Sequence, residues 1–320
     1  MGKYASTRNF GFGKSLAYAG KQALTARYGG GHFGTTAAHT SRFAQFADYT
    51  KSLGIRDAQD ISQQTLESYG QTLAEQVQAG DMSVSYAQNL LSTANVTLSA
   101  MRGDNAVSVS PAALVGERSH VRTDIPGGID RAALQAATIS MKQAGLERAA
   151  AVSELAREFG MREREATLGN LGRWISEARK HGAINITEGT KGGRGHEVDR
   201  WVAVTAAGRD ALQTAWNASP SDSNNLLTSH ESYISFVRGE LNSAREHLKE
   251  AGIAKYHDLR AAYACERYEQ LTGHAAPVLT EGIMTADRET DLAARETLTQ
   301  ELGHGRVDVV ASYVGGRGKA

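Results

Sequence analysis

Apolar residues recur at three- and four-residue intervals over most of this chain. Phe43, Phe46, Thr50 and Leu53 fall on one stripe stopped by Gly54, and Leu66, Tyr69, Leu73 and Val77 form a second that ends at Gly80. Ala87, Leu90, Ala94 and Leu98 form a third, opened by Ser83 as a cap. This spacing predicts three amphipathic helices between Ala37 and Met101, a small bundle suited to packing or docking. A polar stretch punctuated by Gly and Pro follows and reads as a linker. Helices are predicted again near 131–144, 147–159 and 163–180, and from Ala206 to the end. Between them, "AINITEGTKGGRGHEVDRWVAVT" alternates apolar and polar residues around a glycine-rich turn, the pattern of a β-hairpin with Lys191 near its tip. The fold class expected is mainly α with a small β-sheet, an α+β arrangement.

Charge changes the picture at one end only. The 320 residues balance 35 Lys and Arg against 35 Asp and Glu, which argues against a uniformly basic nucleic-acid binder. Residues 1–35, however, carry Lys3, Arg8, Lys14, Lys21 and Arg27 and no acid, with eight glycines and six aromatics in and beside them. Cations interleaved with aromatics suit phosphate contacts and base stacking, and a disordered solubilising tail is the equally weighted alternative. The organisation expected is a basic arm (1–35), a helical bundle (36–103), a linker (104–129) and a second domain (130–320). "GFGKS" is not a nucleotide loop, because Arg8 stands where GxxxxGK[ST] needs glycine and no apolar strand precedes it. The single cysteine, Cys265, excludes an intramolecular disulfide and reads as a packed small residue. With no signal-peptide pattern and no apolar run of membrane length, the expected location is the cytoplasm.

Four short stretches of the second domain carry candidate chemistry: "GMREREATL" (160–168), "GTKGGR" (189–194), "HDLR" (257–260), and "LGH" followed nine residues later by Tyr313. Each has a bland explanation: a solvated helix charge, a turn lysine, a helix-start histidine, a packing aromatic. The order Arg, Lys, His-x-x-Arg, His, Tyr does not, and it resembles the tyrosine recombinase (phage integrase) family over roughly residues 37–315. The resemblance assigns Arg162 as the first arginine, Glu165 as its brace, Lys191 as the hairpin lysine, His257 and Arg260 as the central pair, His304, and Tyr313 as nucleophile. "GMRERE" also offers Arg164; the glycine two before and the glutamate three after favour Arg162.

The chemistry implied asks for these residue types. Cleaving a DNA phosphodiester without metal requires fixed cations around a pentacoordinate phosphorane, the role of Arg162 and Arg260. A phenol with an ordinary pKa near ~10 needs a base and a positive field, and His257 is the acceptor expected. Lys191 would protonate the departing 5′-oxygen, and His304 would hydrogen-bond a non-bridging oxygen. The resemblance implies a 3′-phosphotyrosyl intermediate, no ATP, metal or other cofactor, a core-binding role for the bundle, and integration or excision of a mobile element. Its partners would be double-stranded attachment-site DNA, three further copies in a synaptic homotetramer, and a host DNA-bending or excision factor, in a bacterial cytoplasm at the nucleoid. Arg194 joins the cations of the arm as a candidate DNA contact; His196 and His274 read as surface residues. A non-catalytic DNA-binding protein of the same ancestry is the alternative.

Two departures stand out. His257 and His304 lie 47 residues apart, wider than is common in the family, and the excess around 273–292 is expected to loop out and return to register. The tail "VGGRGKA" after Tyr313 is too short and glycine-rich to form a helix that docks on a neighbouring subunit.

Overall fold

A computed structural model describes residues 7–316, apart from the side chains of Gly193, Arg194 and His196. It divides into two compact units, residues 1–119 and 120–320, and is mainly helical with one two-stranded antiparallel sheet. Among the described residues no helix is long and apolar enough to cross a membrane.

The first unit is built from α1 (Leu16–Tyr28), α2 (Phe33–Ser52), α3 (Gln63–Gln78), α4 (Val84–Arg102) and the short α5 (Pro111–Val115). Its core joins Phe43 and Phe46 of α2, Leu66, Tyr69 and Leu73 of α3, and Leu90, Leu91 and Leu98 of α4. Ser62 and Ser83 accept hydrogen bonds from the backbone N–H groups of Thr65 and Tyr86, satisfying donors that the first helical turn leaves open. Leu53, expected on the apolar stripe of α2, falls just past its end and is exposed.

The segment expected as a free basic arm is part of this unit from residue 8 onward. Leu16, Ala19, Ala23 and Leu24 of α1 are buried, and Phe10 and Phe12 pack against the same core. Upstream of α1, Asn9 lies buried in the left-handed region (φ 52°). Its side chain accepts from the Ala58 N–H at 2.7 Å and donates to the Gly13 carbonyl at 2.7 Å. Glycine content misled here because alanine and leucine at helical spacing supply α1 with a buried face. Lys14, Lys21 and Arg27 are exposed, whereas the Arg8 guanidinium donates to the Arg56 carbonyl. Lys3 and the Arg194 side chain lie outside the described residues.

The second unit contains α6 (Arg131–Gln143), α7 (Glu147–Phe159), α8 (Glu163–Leu168), α9 (Leu171–His181), β1 (Ala183–Asn185), β2 (Trp201–Ala203) and α10 (Ala206–Ala218). These are followed by α11 (Tyr233–Phe236), α12 (Asn242–Glu250), α13 (Tyr256–Thr272), α14 (Arg288–Glu301) and α15 (Ala311–Val314). Helix α7 lies at the centre, between α6, α10 and α13, with Ala149–Val152, Leu155 and Phe159 fully buried.

The single helix expected over 163–180 is broken. Gly169 is extended beneath the Trp174 indole, and Asn170 restarts the helix by accepting from the Arg173 N–H at 3.0 Å. The hairpin is shorter than its alternation suggests. Ala183, Ile184 and Asn185 pair with Ala203, Val202 and Trp201, and the tip is a 3-10 turn over Lys191–His196. The last residues of the expected linker belong to this unit: the Arg122 N–H donates to the Ala311 carbonyl at 2.9 Å, and the turn Gly127–Ile129 packs on α13. The extra residues after α13 do not simply loop out. Ala276, Pro277 and Val278 are buried in a 3-10 turn that packs against α15.

Candidate active site

Arg162, Glu165, Arg260, His304 and Tyr313 converge in the second unit, and each is delivered by the end of a helix. Arg162 is the N-cap of α8. Glu165, one turn into that helix, accepts from the Arg162 backbone N–H at 2.8 Å and from its guanidinium at 2.5 Å. The carboxylate thus caps the helix and fixes the arginine together. Arg164 points elsewhere, its guanidinium over the Tyr233 ring at 5.8 Å, so the register expected from "GMRERE" is the one that reaches the site.

Arg260 sits in α13 with no exposed surface. All three of its nitrogens are engaged. Nη1 donates to the Gly160 carbonyl, Nη2 to the Leu302 carbonyl at 2.5 Å with His304 Nε2 at 3.3 Å, and Nε to the Tyr313 hydroxyl at 3.2 Å. Burial brings its pKa down to about 10, still well above neutrality, with the Tyr313 oxygen opposing that fall.

Tyr313, 3% exposed, lies in the one-turn helix α15. Its hydroxyl is also 3.0 Å from His304 Nε2, so it is gripped between a guanidinium and an imidazole. The backbone is tied down on both sides of the ring. The Cys265 thiol donates to the Tyr313 carbonyl, and Arg295 Nη1 donates to the Gly315 carbonyl at 3.1 Å. Gly315 (φ 81°) passes so close to Val278 that a Cβ there would stand 2.8 Å from the Val278 nitrogen. The residues inserted after α13 therefore form part of the floor under the tyrosine.

His257 opens α13, exposed on one side and with its ring against Tyr313 at a centroid distance of 5.2 Å. It makes ring contact and no described hydrogen bond to the hydroxyl. Asp258, beside it, pairs with Arg122 at 2.7 Å and anchors the helix start. Partial desolvation, then the charges of Arg260, Lys255 and Arg122, bring His257 down to about 4. Desolvation and the charges of Arg260, Arg162 and Arg200 bring His304 down to about 3. Both imidazoles are therefore neutral at pH 7, and each is a weaker base than a free imidazole.

Lys191 is exposed at the start of the hairpin tip. Gly189 (φ 69°) lets the hairpin cross α8 closely, since a Cβ there would meet the Arg164 carbonyl oxygen at 2.5 Å. The lysine consequently lines a cavity of about 160 Å³ with Arg162, Glu165 and His304. A cavity with three cationic or hydrogen-bonding side chains on its wall suits an anionic group of phosphate size.

One residue of this cluster was not singled out from the sequence. Arg200, 4% exposed, donates from Nη1 to Glu165 at 2.8 Å, beside Arg260 Nη1 at 3.5 Å from the same carboxylate oxygen. Burial alone would raise the Glu165 pKa, but Arg200, Arg260 and Arg162 hold it at about 2. The signal lay in the alternation Val198, Arg200, Val202, Val204, which places an arginine in the apolar register of a strand.

Residues 119–266 match the family model described as Integrase. The matched segment contains Arg162, Glu165, Lys191, His257 and Arg260 and ends before His304 and Tyr313. No curated protein is matched by the chain. Over this segment, a little under half of the chain, the protein is similar to integrases of the phage, tyrosine-recombinase type, a family of DNA integration and recombination.

Proposed function

We propose that the protein is a site-specific DNA strand transferase that cleaves and rejoins DNA through Tyr313. The observation that carries this reading is the Tyr313 hydroxyl held 3.2 Å from Arg260 Nε and 3.0 Å from His304 Nε2. An entering phosphate anion offsets the cations that depress His304, so its imidazole can take the hydroxyl proton while the Arg260 N–H stabilises the phenolate. Proton acceptance, expected of His257, passes to His304 in this geometry. His257 packs on the ring and fixes its plane.

The phenolate oxygen then forms a bond to the phosphorus of a DNA phosphodiester, and the phosphorus–O5′ bond breaks. The Lys191 ammonium gives its proton to the departing O5′, leaving a 3′-phosphotyrosyl link and a free 5′-hydroxyl. Charge on the phosphorane falls on Arg162, Arg260 and the newly formed imidazolium. Rejoining runs the same steps backwards with the 5′-hydroxyl of a partner strand, so the phosphodiester energy is conserved in the covalent link. Exchange between two duplexes implies four copies of the chain, on attachment-site DNA of a mobile element, with Lys14, Lys21 and Arg27 as exposed cations for phosphates. A non-catalytic relative would have no use for a buried tyrosine gripped in this way.

The test is a nicked duplex made from the ends of the element that carries the gene, so that the cleaved fragment escapes and the covalent complex accumulates. Wild type is expected to give a detergent-stable protein–DNA band and Tyr313→Phe none. Equal bands from the two proteins, or none from wild type on any end sequence, would overturn the proposal.

A further inference from the structure

The strand-transfer chemistry above uses two of the three guanidiniums around Glu165 and leaves Arg200 without a role. Its surroundings are specific. The Arg200 N–H donates to Asn185 Oδ1 at 2.8 Å and its carbonyl accepts from the Ile186 N–H at 2.9 Å, which fixes its backbone at the base of the Lys191 hairpin. Its side chain crosses to three other elements. Nη1 reaches Glu165 in α8, Nη2 donates to the Gly160 carbonyl at the end of α7 at 3.1 Å, and Nε donates to the Glu301 carbonyl at the end of α14 at 2.6 Å. Gly303, between Glu301 and His304, lies flat on it, where a Cβ would stand 3.1 Å from Arg200 Cδ.

We propose that Arg200 is the positioning residue of this site. It holds Glu165, and through it Arg162, while tying the base of the Lys191 hairpin to the loop that carries His304. The inference rests on the strand-transfer reading. Each guanidinium nitrogen donates to a protein oxygen and the side chain is 4% exposed, so Arg200 is fastened to the groups around it. Its effect on the substrate is exerted through Arg162, Lys191 and His304. Lysine could replace its charge beside Glu165 but not its three-way fork.

Arg200→Gln and Arg200→Lys are compared with wild type in single-turnover cleavage of the nicked duplex, in DNA affinity, and in carboxyl and imidazole NMR titrations of Glu165 and His304. Arg200→Gln is expected to slow covalent-complex formation about 10- to 100-fold, the scale on which misplacement of reacting groups acts, with DNA affinity within about 2-fold. Arg200→Lys should recover part of the rate. In Arg200→Gln the titration midpoints of Glu165 and His304 should both rise, because each loses a neighbouring cation. In a Glu165→Gln background the same substitution should add little, since the group it positions is already gone.

A wild-type rate in Arg200→Gln, or unmoved midpoints with losses that multiply across the double variant, would overturn the inference. If Arg200→Gln does not fold, Arg200→Lys carries the same comparisons, and wild-type rate and midpoints there overturn it. The titrations need no DNA. A wild type that forms no covalent complex sinks the strand-transfer reading, while the Glu165 and His304 midpoints still decide whether Arg200 holds them.

Discussion

The two units bury different things. In the first, the buried polar side chains are uncharged: Asn9, Thr50, Thr65, Gln88, Thr93 and Thr97. In the second, Arg157, Glu165, Arg200, Asp258, Arg260, Asp291, Arg295 and Glu301 are all buried, and several meet around one carboxylate. Burying an ion costs several kcal/mol unless partners satisfy it, and an apolar core would give stability more simply. The first unit therefore reads as a scaffold held by packing. In the second, stability is traded for fixed charges, several of them gathered around Glu165, the arrangement that the proposed phosphoryl chemistry would demand.

The largest expected effect breaks the second unit at its charge centre. Glu165→Ala removes the carboxylate shared by Arg162, Arg200 and Arg260 and leaves buried guanidiniums uncompensated. A loss of about 3–5 kcal/mol is expected, read from denaturant unfolding followed by amide exchange in the second unit. A change below about 1 kcal/mol would show that the carboxylate does not organise the site.

Packing is the corresponding weak point of the first unit. Leu90→Ala, in a fully packed position of α4, is expected to cost about 2–5 kcal/mol through lost burial and the cavity left behind. Exchange protection should fall in 7–119, and the His304 and Glu165 titrations should stay unchanged. A shift of those midpoints would undo the division drawn between the units.

Gly20→Ala sharpens the comparison where the sequence misled. A Cβ at Gly20 would stand 2.4 Å from the Phe43 ring, so overpacking should cost about 1–3 kcal/mol. The same substitution in a free arm would change nothing, so unaltered stability would return residues 8–28 to the status of a tail. Smaller again is Ser83→Ala, which removes the cap of α4 and should cost about 1 kcal/mol.

Helix periodicity made the bundle and helices α6 and α7 legible because one apolar stripe per helix is a local property of sequence. The candidate residues from Arg162 to Tyr313 were read as an ordered set of residue types, and the fold brings Arg162, Glu165, Arg260, His304 and Tyr313 together. What stayed hidden depends on tertiary contacts: the break at Gly169 under Trp174, the seating of Ala276–Val278 beneath α15, and the burial of α1. The identity of the group facing the tyrosine was hidden for the same reason. Spacing places His257 and His304 near Tyr313, and only the fold decides that His304 Nε2 meets its hydroxyl.

The smallest effect expected is a pH dependence of stability, and its sign follows from the site's charges. His257 and His304 titrate near 4 and 3 in the folded protein, against an ordinary value of about 6.5 when unfolded. Below about pH 6.5 the unfolded chain takes up protons that the folded site refuses, so stability falls with pH until the folded imidazoles themselves protonate. Glu165 acts in the same direction at lower pH: held at about 2 when folded, it contributes stability above its unfolded value near 4.5 and loses it as pH falls towards 2. His304→Gln should flatten the dependence between about pH 6.5 and 5.5 in second-unit amide exchange, a window in which Glu165 is largely ionised in both states. Because His304 is only partly buried, the effect should be modest. In the first unit His39, lowered by burial and by Arg42 and Arg27, should keep its own acid sensitivity in the variant. An unchanged slope in the second unit would mean that burial and the cations around Tyr313 do not depress His304.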